Sequence, residues 1–307
     1  MDNLKDYIDS KYGKSKYKLE NDYQKKYDTD TTFRVIANKT KLPNDTLMKY
    51  TTKLELSSLE VNNCKNCKNI MECKNEVCGY VYYPEVNGDD LEFSYIPCKY
   101  KKEIDKENKY LDNIYYFDIP KNIKNARMKD IITKDKNRYP VIKWIKEFML
   151  EYENNKNIKG LYLNGNFGCG KTYLLSAMFG ELARSGNKVA MIYYPEFLRN
   201  LKESFNDSLE YRNKFEYVKK VPLLLLDDIG AETVTDWSRD EVLGTILQYR
   251  MDENLPTFFT SNLSIEELEE HLSVTSKQVD IVKARRIIER IKQLTDSITL
   301  ISVNLRK

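Results

Sequence analysis

No stretch of the chain approaches the ~20 consecutive apolar residues that a membrane span requires. The first residues, Met1-Asp2-Asn3-Leu4-Lys5-Asp6, lack the apolar segment of a secretory signal. These two absences set the expected location as the cytoplasm, with no membrane partner. A strong excess of charge of one sign is also missing: 50 Lys and Arg against 47 Asp and Glu give a net +3. A balance this small neither points to nucleic acid nor excludes it, so local patches must carry that argument. What remains is a chain of 307 residues, 41% apolar and 32% charged, able to form a core and stay in solution. At ~100–200 residues per domain, it holds about two domains. Six cysteines in a cytoplasmic chain point to a bound metal before disulfides.

One stretch organises the rest: Gly165-Asn166-Phe167-Gly168-Cys169-Gly170-Lys171-Thr172, which is G-x-x-x-x-G-K-[ST]. The apolar run Gly160-Leu161-Tyr162-Leu163 before it reads as a buried strand. Tyr173 to Ala183 after it reads as a helix, with Leu174, Leu175, Met178 and Leu182 on the packed side. Strand, glycine loop and helix are the context a phosphate-binding loop needs. The glycines let successive N–H groups face the β- and γ-phosphates of a nucleotide, and the helix N-terminus adds partial positive charge. Lys171 is expected on the phosphates and the Thr172 hydroxyl on Mg²⁺.

A second landmark is Val221-Pro222-Leu223-Leu224-Leu225-Leu226-Asp227-Asp228, an apolar run that ends in paired acids. A buried strand delivers such carboxylates at its C-terminal edge, where open α/β sheets bind ligands. Asp227 is expected to hold Mg²⁺, directly or through water, and Asp228 to orient or polarise the attacking water. Pro256 to Asn262 is another short strand. Its Asn262 can reach the attacking water or the γ-phosphate, or can cap the helix Ser264 to His271. In the basic helix Lys283 to Lys292, Arg286 and Arg290 are four apart and share one face, while Ile287, Ile288 and Ile291 form the packed side. An arginine presented to a neighbour's γ-phosphate stabilises phosphoryl transfer; a solvated basic face is the plainer alternative. Asn137 to Tyr152 is an amphipathic helix with Pro140 in its first turn. Asn187 to Tyr194 reads as a second buried strand, and Asp296 to Val303 as a last one. Tyr211 to Lys220 is basic and aromatic, a composition that lines a single-stranded nucleic-acid path or forms a solvated helix.

Upstream lies the cysteine cluster Cys64-x2-Cys67-x5-Cys73-x4-Cys78, followed by Cys98. A thiolate pair two residues apart fits one edge of a tetrahedral zinc site. Tyr80 to Tyr83 and Leu91 to Tyr95 alternate as two strands around a turn at Val86-Asn87-Gly88-Asp89, and this hairpin returns Cys98 toward the first pair. Five cysteines compete for four places. The reading takes Cys64, Cys67, Cys78 and Cys98, with Cys73 in reserve in a helical turn at Ile70 to Cys73. Four thiolates leave no open position, so such a zinc ion folds a small module rather than catalyses. Residues 1–60 read as solvated helices over a modest core, with a docking surface for a partner as the alternative. Lys99 to Asn113 is charged, and Asp118-Ile119-Pro120 breaks any helix. The expected organisation is a small zinc-binding α+β domain over 1–110, a linker over 111–125, and an α/β P-loop domain with a central parallel sheet over 126–307.

The order of parts, GNFGCGKT, LLLLDDIGAE, FFTSN and ARRIIERI, resembles the bacterial replicative helicase loaders of the DnaI and DnaC type, primosomal AAA+ ATPases. The resemblance covers residues 118–307, and the cysteine module is similar to the N-terminal domain of the DnaI branch. It implies Walker A roles for Lys171 and Thr172, Walker B roles for Asp227 and Asp228, and a sensor role for Asn262. Arg290 becomes the arginine finger and Arg286 its companion. Asp-Asp in place of the usual Asp-Glu implies slow, switch-like ATP hydrolysis. One metal ligand in the DnaI branch is often histidine. Here the only histidine is His271, in the ATPase domain, so Cys78 is the substitute. By this resemblance the zinc module docks on the replicative hexameric helicase. The ATPase domain binds ATP, forms an ATP-dependent homo-oligomer and engages single-stranded DNA. Together they place the helicase ring on DNA in replication initiation or restart. Three other readings compete: an IstB-type transposition-associated AAA+ ATPase, which is not expected to carry the cysteine module; a P-loop small-molecule kinase, which needs an acceptor site; and an interaction protein in which ATP only orders an assembly.

Overall fold

The computed structural model describes residues 17–275 and 279–305. The chain divides between Asn108 and Lys109 into two compact units.

In the first unit, a helix over 17–29 runs into a second, Thr31–Thr40. Asp30 separates them, and its carboxylate accepts the Thr32 and Phe33 N–H groups, which have no partner inside the second helix. With the longer helix Thr51–Lys65 they bury Tyr23, Phe33, Ile36, Leu47 and Leu54, and Leu91 closes this small core from the hairpin. The hairpin pairs β1 (Tyr80–Asn87) with β2 (Asp90–Pro97), Tyr80 opposite Pro97 and Asn87 opposite Asp90. Its two-residue turn holds Gly88 at φ 63°, where a side chain would be strained. Glu60, buried on the long helix, accepts N–H groups from Tyr82 at 2.5 Å and Glu76 at 3.2 Å, tying hairpin and cysteine loop to the helix. The helix Lys99–Asn108 ends the unit.

The second unit is built on a six-stranded sheet in the order β3-β5-β6-β7-β4-β8. The strands are β3 (Ile114–Phe117), β4 (Gly160–Gly165), β5 (Val189–Tyr193), β6 (Leu223–Asp227), β7 (Thr257–Ser261) and β8 (Thr295–Leu300), and all pairings are parallel. Strands β4, β6 and β7 are buried along their whole length, as parallel strands covered on both faces must be. One face packs Tyr162, Leu224, Leu226 and Phe259 against Phe197, Ile246, Ile287 and Ile291. The other packs Leu161, Leu225 and Phe258 against the helices Tyr139–Asn154 and Lys171–Arg184. There Phe148 and Phe179 meet the Phe258 ring edge to face, at 5.0 and 5.1 Å. This order sets β7 between β4 and β6, so the C-terminal ends of all three lie side by side. No described helix is long and apolar enough to cross a membrane.

Residues 111–125 are not a linker. They carry β3, paired with β5 from Ile114 opposite Val189 to Phe117 opposite Ile192, and so belong to the second unit. The run Ile114-Tyr115-Tyr116-Phe117 has no polar alternation, because a parallel strand meets apolar neighbours on both faces; charged flanks on either side hide it in the sequence.

Candidate functional site

The site begins where β4 ends. Gly165 lies against β8, and a Cβ there would stand 1.9 Å from the Leu300 carbonyl oxygen. At the far end of the loop, Gly170 at φ 89° is the N-cap of the helix Lys171–Arg184. The loop thus delivers helix N–H groups that have no intrahelical partner, a ready anion site. The Lys171 ammonium folds back over the loop and donates to the carbonyls of Gly165 (2.9 Å) and Asn166 (3.0 Å), and to Asn262 Oδ1 (2.8 Å).

Asn262, just past the end of β7, joins the two halves of the site. Its Oδ1 faces Lys171, and its Nδ2 donates to Asp228 Oδ1 at 3.0 Å. A cation on one side and a carboxylate on the other fix which way the amide points. Asn262 does not cap the following helix: Ser264 does, in a capping box with Glu267.

The Thr172 hydroxyl donates to Asp227 Oδ1 at 2.7 Å, so the two groups expected on Mg²⁺ are already together. Two hard oxygen donors beside a phosphate cradle suit that ion. Burial pushes the Asp227 carboxyl above its ordinary pKa and Asp228 adds to this, while hydrogen bonds from Thr260 and Thr172 and the charge of Lys171 oppose it. A bound cation would favour the charged form further.

Sequence reasoning missed Thr260. Its hydroxyl donates to Asp227 Oδ1 (2.6 Å) and accepts the Asp228 N–H (2.9 Å), holding both acids at once. Asp228 sits at φ 59°, a left-handed backbone that a non-glycine residue rarely adopts. Arg138 was missed as well: it is 1% exposed and lies beside Gly170. The segment after β8 also lies along the loop. Asn166 exchanges two hydrogen bonds with the Ser302 backbone (2.7 and 3.1 Å), and the Leu305 N–H donates to the Gly168 carbonyl (2.8 Å).

The two candidate arginines are placed elsewhere. Arg290 Nη1 donates to the Gly244 carbonyl at 2.9 Å and shares a cleft with Lys219, Asp240 and Tyr249, while Arg286 is exposed.

In the first unit, Cys64, Cys67, Cys73 and Cys98 line one cavity of about 160 Å³. Asn75 Nδ2 reaches Cys64 Sγ (3.5 Å), the Gly79 N–H donates to Cys73 Sγ (3.3 Å), and the Cys98 N–H donates to the Gly79 carbonyl (2.8 Å). Cys78 is exposed, with its thiol toward the Ile70 carbonyl at 3.5 Å, and is not among the lining residues. Among the described residues, no three His, Cys, Asp or Glu side chains form a group set to hold a metal ion. The thiols therefore converge on one cavity without forming a coordination shell.

The replicative helicase loader DnaI of Bacillus subtilis (strain 168) is 38% identical over 245 residues, covering 80% of this chain and 78% of that protein. The chain belongs to the DnaI family of replicative helicase loaders. A family model described as IstB-like ATP binding protein matches residues 145–296. The crystal structure of a DnaI is 44% identical, with a TM-score of 0.57, over 64% of this chain and all of that one. A protein from Streptococcus pyogenes serotype M3 described as a primosome component is 35% identical, with a TM-score of 0.55, over 66% of this chain and all of that one. The DnaI-family P-loop unit is thus an α/β domain on a parallel sheet, as its motifs led one to expect.

Proposed function

We propose that this DnaI-family chain is an ATP-dependent loader of the replicative DNA helicase, acting in the cytoplasm at replication initiation or restart. The reach of the family match carries the reading. The second unit, Lys109–Lys307, is shorter than the 245 matched residues, so the match extends into the first unit. The IstB-like match lies inside the second unit alone.

In this reading the second unit is the ATPase. Lys171 exchanges its carbonyl partners for the β- and γ-phosphates, and the loop N–H groups hold the rest of the chain of phosphates. Thr172 and Asp227 would hold Mg²⁺, which would supply charge neutralisation at the phosphates. Asp228 and Asn262, bonded to each other, orient the attacking water. An aspartate reaches less far than a glutamate, which supports slow, switch-like hydrolysis. Arg290, with Arg286 on the same helix Ile281–Leu294, would act on the nucleotide of a neighbouring copy in a homo-oligomer, since Arg290 is bonded at Gly244 and not at its own loop. The basic, aromatic helix Ser208–Lys220 is the proposed path for single-stranded DNA.

The first unit is the proposed helicase-docking module, folded around zinc. Cys64, Cys67 and Cys98 would hold the ion, and Cys73 takes the fourth place that sequence reasoning assigned to Cys78, since it lines the shared cavity. Zinc would supply cross-linking of a small core here, not catalysis.

The test is assembly of the cognate replicative helicase on circular single-stranded DNA, with the full chain and ATP. The expected result is a complex with the helicase and ATP-dependent loading. If the chain binds ATP but not the helicase, the loader reading falls and the IstB-type reading takes its place.

A further inference from the structure

Three of the largest fully buried side chains are arginines, and two of them are tied down. Arg250 donates to Thr257 Oγ1 (2.8 Å) and to the Val221 (2.7 Å) and Pro256 (2.8 Å) carbonyls. Arg239 pairs with Asp240 and Asp236 and donates to the Leu272 carbonyl. Arg138 differs. Its Nε and Nη1 are buried and have no hydrogen-bond partner among the described residues. Asp135 acts on its charge, but that carboxylate is bonded to the Ser302 hydroxyl and the Asn137 N–H. A guanidinium does not shed its proton in a protein, so burying two of its nitrogens unbonded is costly unless an anion compensates it.

Its position says which anion. A Cβ on Gly170, the last glycine of the phosphate loop, would stand 3.0 Å from Arg138 Nη2 and 3.5 Å from Leu305 Cδ1. The Lys171 ammonium reaches back to the loop's other end, onto Gly165, Asn166 and Asn262. The loop therefore carries a cation at each end. In such loops the lysine serves the β- and γ-phosphates, which leaves the α-phosphate end to the other cation.

We propose that Arg138 is a nucleotide ligand, binding the α- and β-phosphates of a nucleoside di- or triphosphate, and that the segment Ser302–Leu305 is the cover that shifts to admit them. The inference rests on reading the P-loop as the nucleotide site. Among the bonds that hold the cover, and that a nucleotide can compete with, are Ser302 to Asn166 and Asp135, the Val303 N–H to Asp135, and Leu305 to Gly168. Arg138 is also pre-positioned. It closes a short 3-10 turn, Lys136–Arg138, capped by Asp135, just before the helix Tyr139–Asn154 packs on the sheet.

The test uses the full chain and titrates ADP, ATP and adenosine against wild type, Arg138→Met and Arg138→Lys. Loss of a charged hydrogen-bonding group predicts about 10- to 100-fold weaker ADP and ATP binding in Arg138→Met. The two nucleotides should lose equally, adenosine should be unaffected, and Arg138→Lys should fall between. KM for ATP should rise while kcat at saturation holds. Thermal stability without nucleotide should not drop, because Nε and Nη1 have no hydrogen bonds to lose and their burial no longer has to be offset. ADP binding within twofold of wild type, or an equal loss for adenosine, overturns the proposal. If Arg138→Met does not fold, Arg138→Lys decides by the same criteria. Leu305→Gly tests the cover without touching Arg138: ADP association should be several-fold faster, and an unchanged rate removes that part. If wild type binds neither nucleotide, the ATPase reading itself fails, and this inference with it.

Discussion

The two units hold their chemical side chains by different means. In the second, the acting groups bond directly to one another: Lys171 to Asn262 to Asp228, and Thr172 to Asp227 to Thr260. Each stands at the end of a buried strand or the start of a buried helix, between two extensive apolar layers. In the first unit, the sulfurs of Cys64 and Cys73 bond to Asn75 and to a backbone N–H, around a small core that includes Phe33, Ile36 and Leu54. A large core can fix a polar constellation by packing alone, whereas a small one leaves the last step of positioning to a ligand.

The comparison breaks most visibly on metal removal. On the zinc reading, a strong chelator should unfold the first unit and leave ATP binding by the second intact. Structural zinc contributes on the order of 10 kcal/mol in small domains. Calorimetry should show two transitions in the loaded chain and one after chelation. A chain that holds no zinc and keeps both transitions ends the zinc reading. Lys171→Ala is the opposite break. Fluorescent-ATP titration should show a loss of ~100-fold or more, because several charge-assisted bonds to phosphate disappear. The first unit's transition should not move. Retained tight binding would remove Lys171 from the phosphate site.

What could be read from the sequence follows the same divide. Lys171, Thr172, Asp227 and Asn262 stand out in the sequence because each belongs to a short contiguous motif at the end of a strand or the start of a helix. Thr260 does not, because its role comes from register: β6 and β7 pair Leu226 with Phe259, which sets Thr260 beside Asp227 across two strands far apart in sequence. Arg138 lies in the charged run Lys134 to Arg138, and such runs ordinarily face solvent. The choice between Cys73 and Cys78 turns on a backbone angle that spacing does not encode. Gly79 at φ 84° turns the chain after Cys78 and directs its own N–H to Cys73 Sγ.

Within the second unit, two buried acids sharpen the contrast between a site and its scaffold. Asp227 has two hydroxyl partners, from Thr172 and Thr260. Glu232 accepts the Gly230 N–H at 2.7 Å, and burial pushes its pKa up to about 7. The folded state therefore keeps this proton to higher pH than the unfolded chain, whose carboxyl has the ordinary value of 4.5. Stability should fall as pH rises from 4.5 through 7, by roughly 3 kcal/mol at most, and then level off. Glu232→Gln should flatten that slope when unfolding of the second unit is followed across this range. An unchanged slope assigns it to other groups.

The smallest expected effect isolates the bonding itself. Thr260→Val keeps shape and burial but deletes two hydrogen bonds, one to Asp227 and one from the Asp228 N–H. Stability should fall by about 1–2 kcal/mol, the scale for buried partners left unpaired. ATP binding should change only a few-fold, because Lys171 and the loop are untouched. Hydrolysis should drop by about tenfold, because Asp228 is held in a left-handed backbone that needs its N–H anchored. Thr260→Ser restores both bonds and should restore the rate. If Thr260→Val hydrolyses ATP as wild type does, packing of the strand ends alone places the acid pair. The second unit would then owe its order to its core and not to the bonds that distinguish it from the cysteine unit.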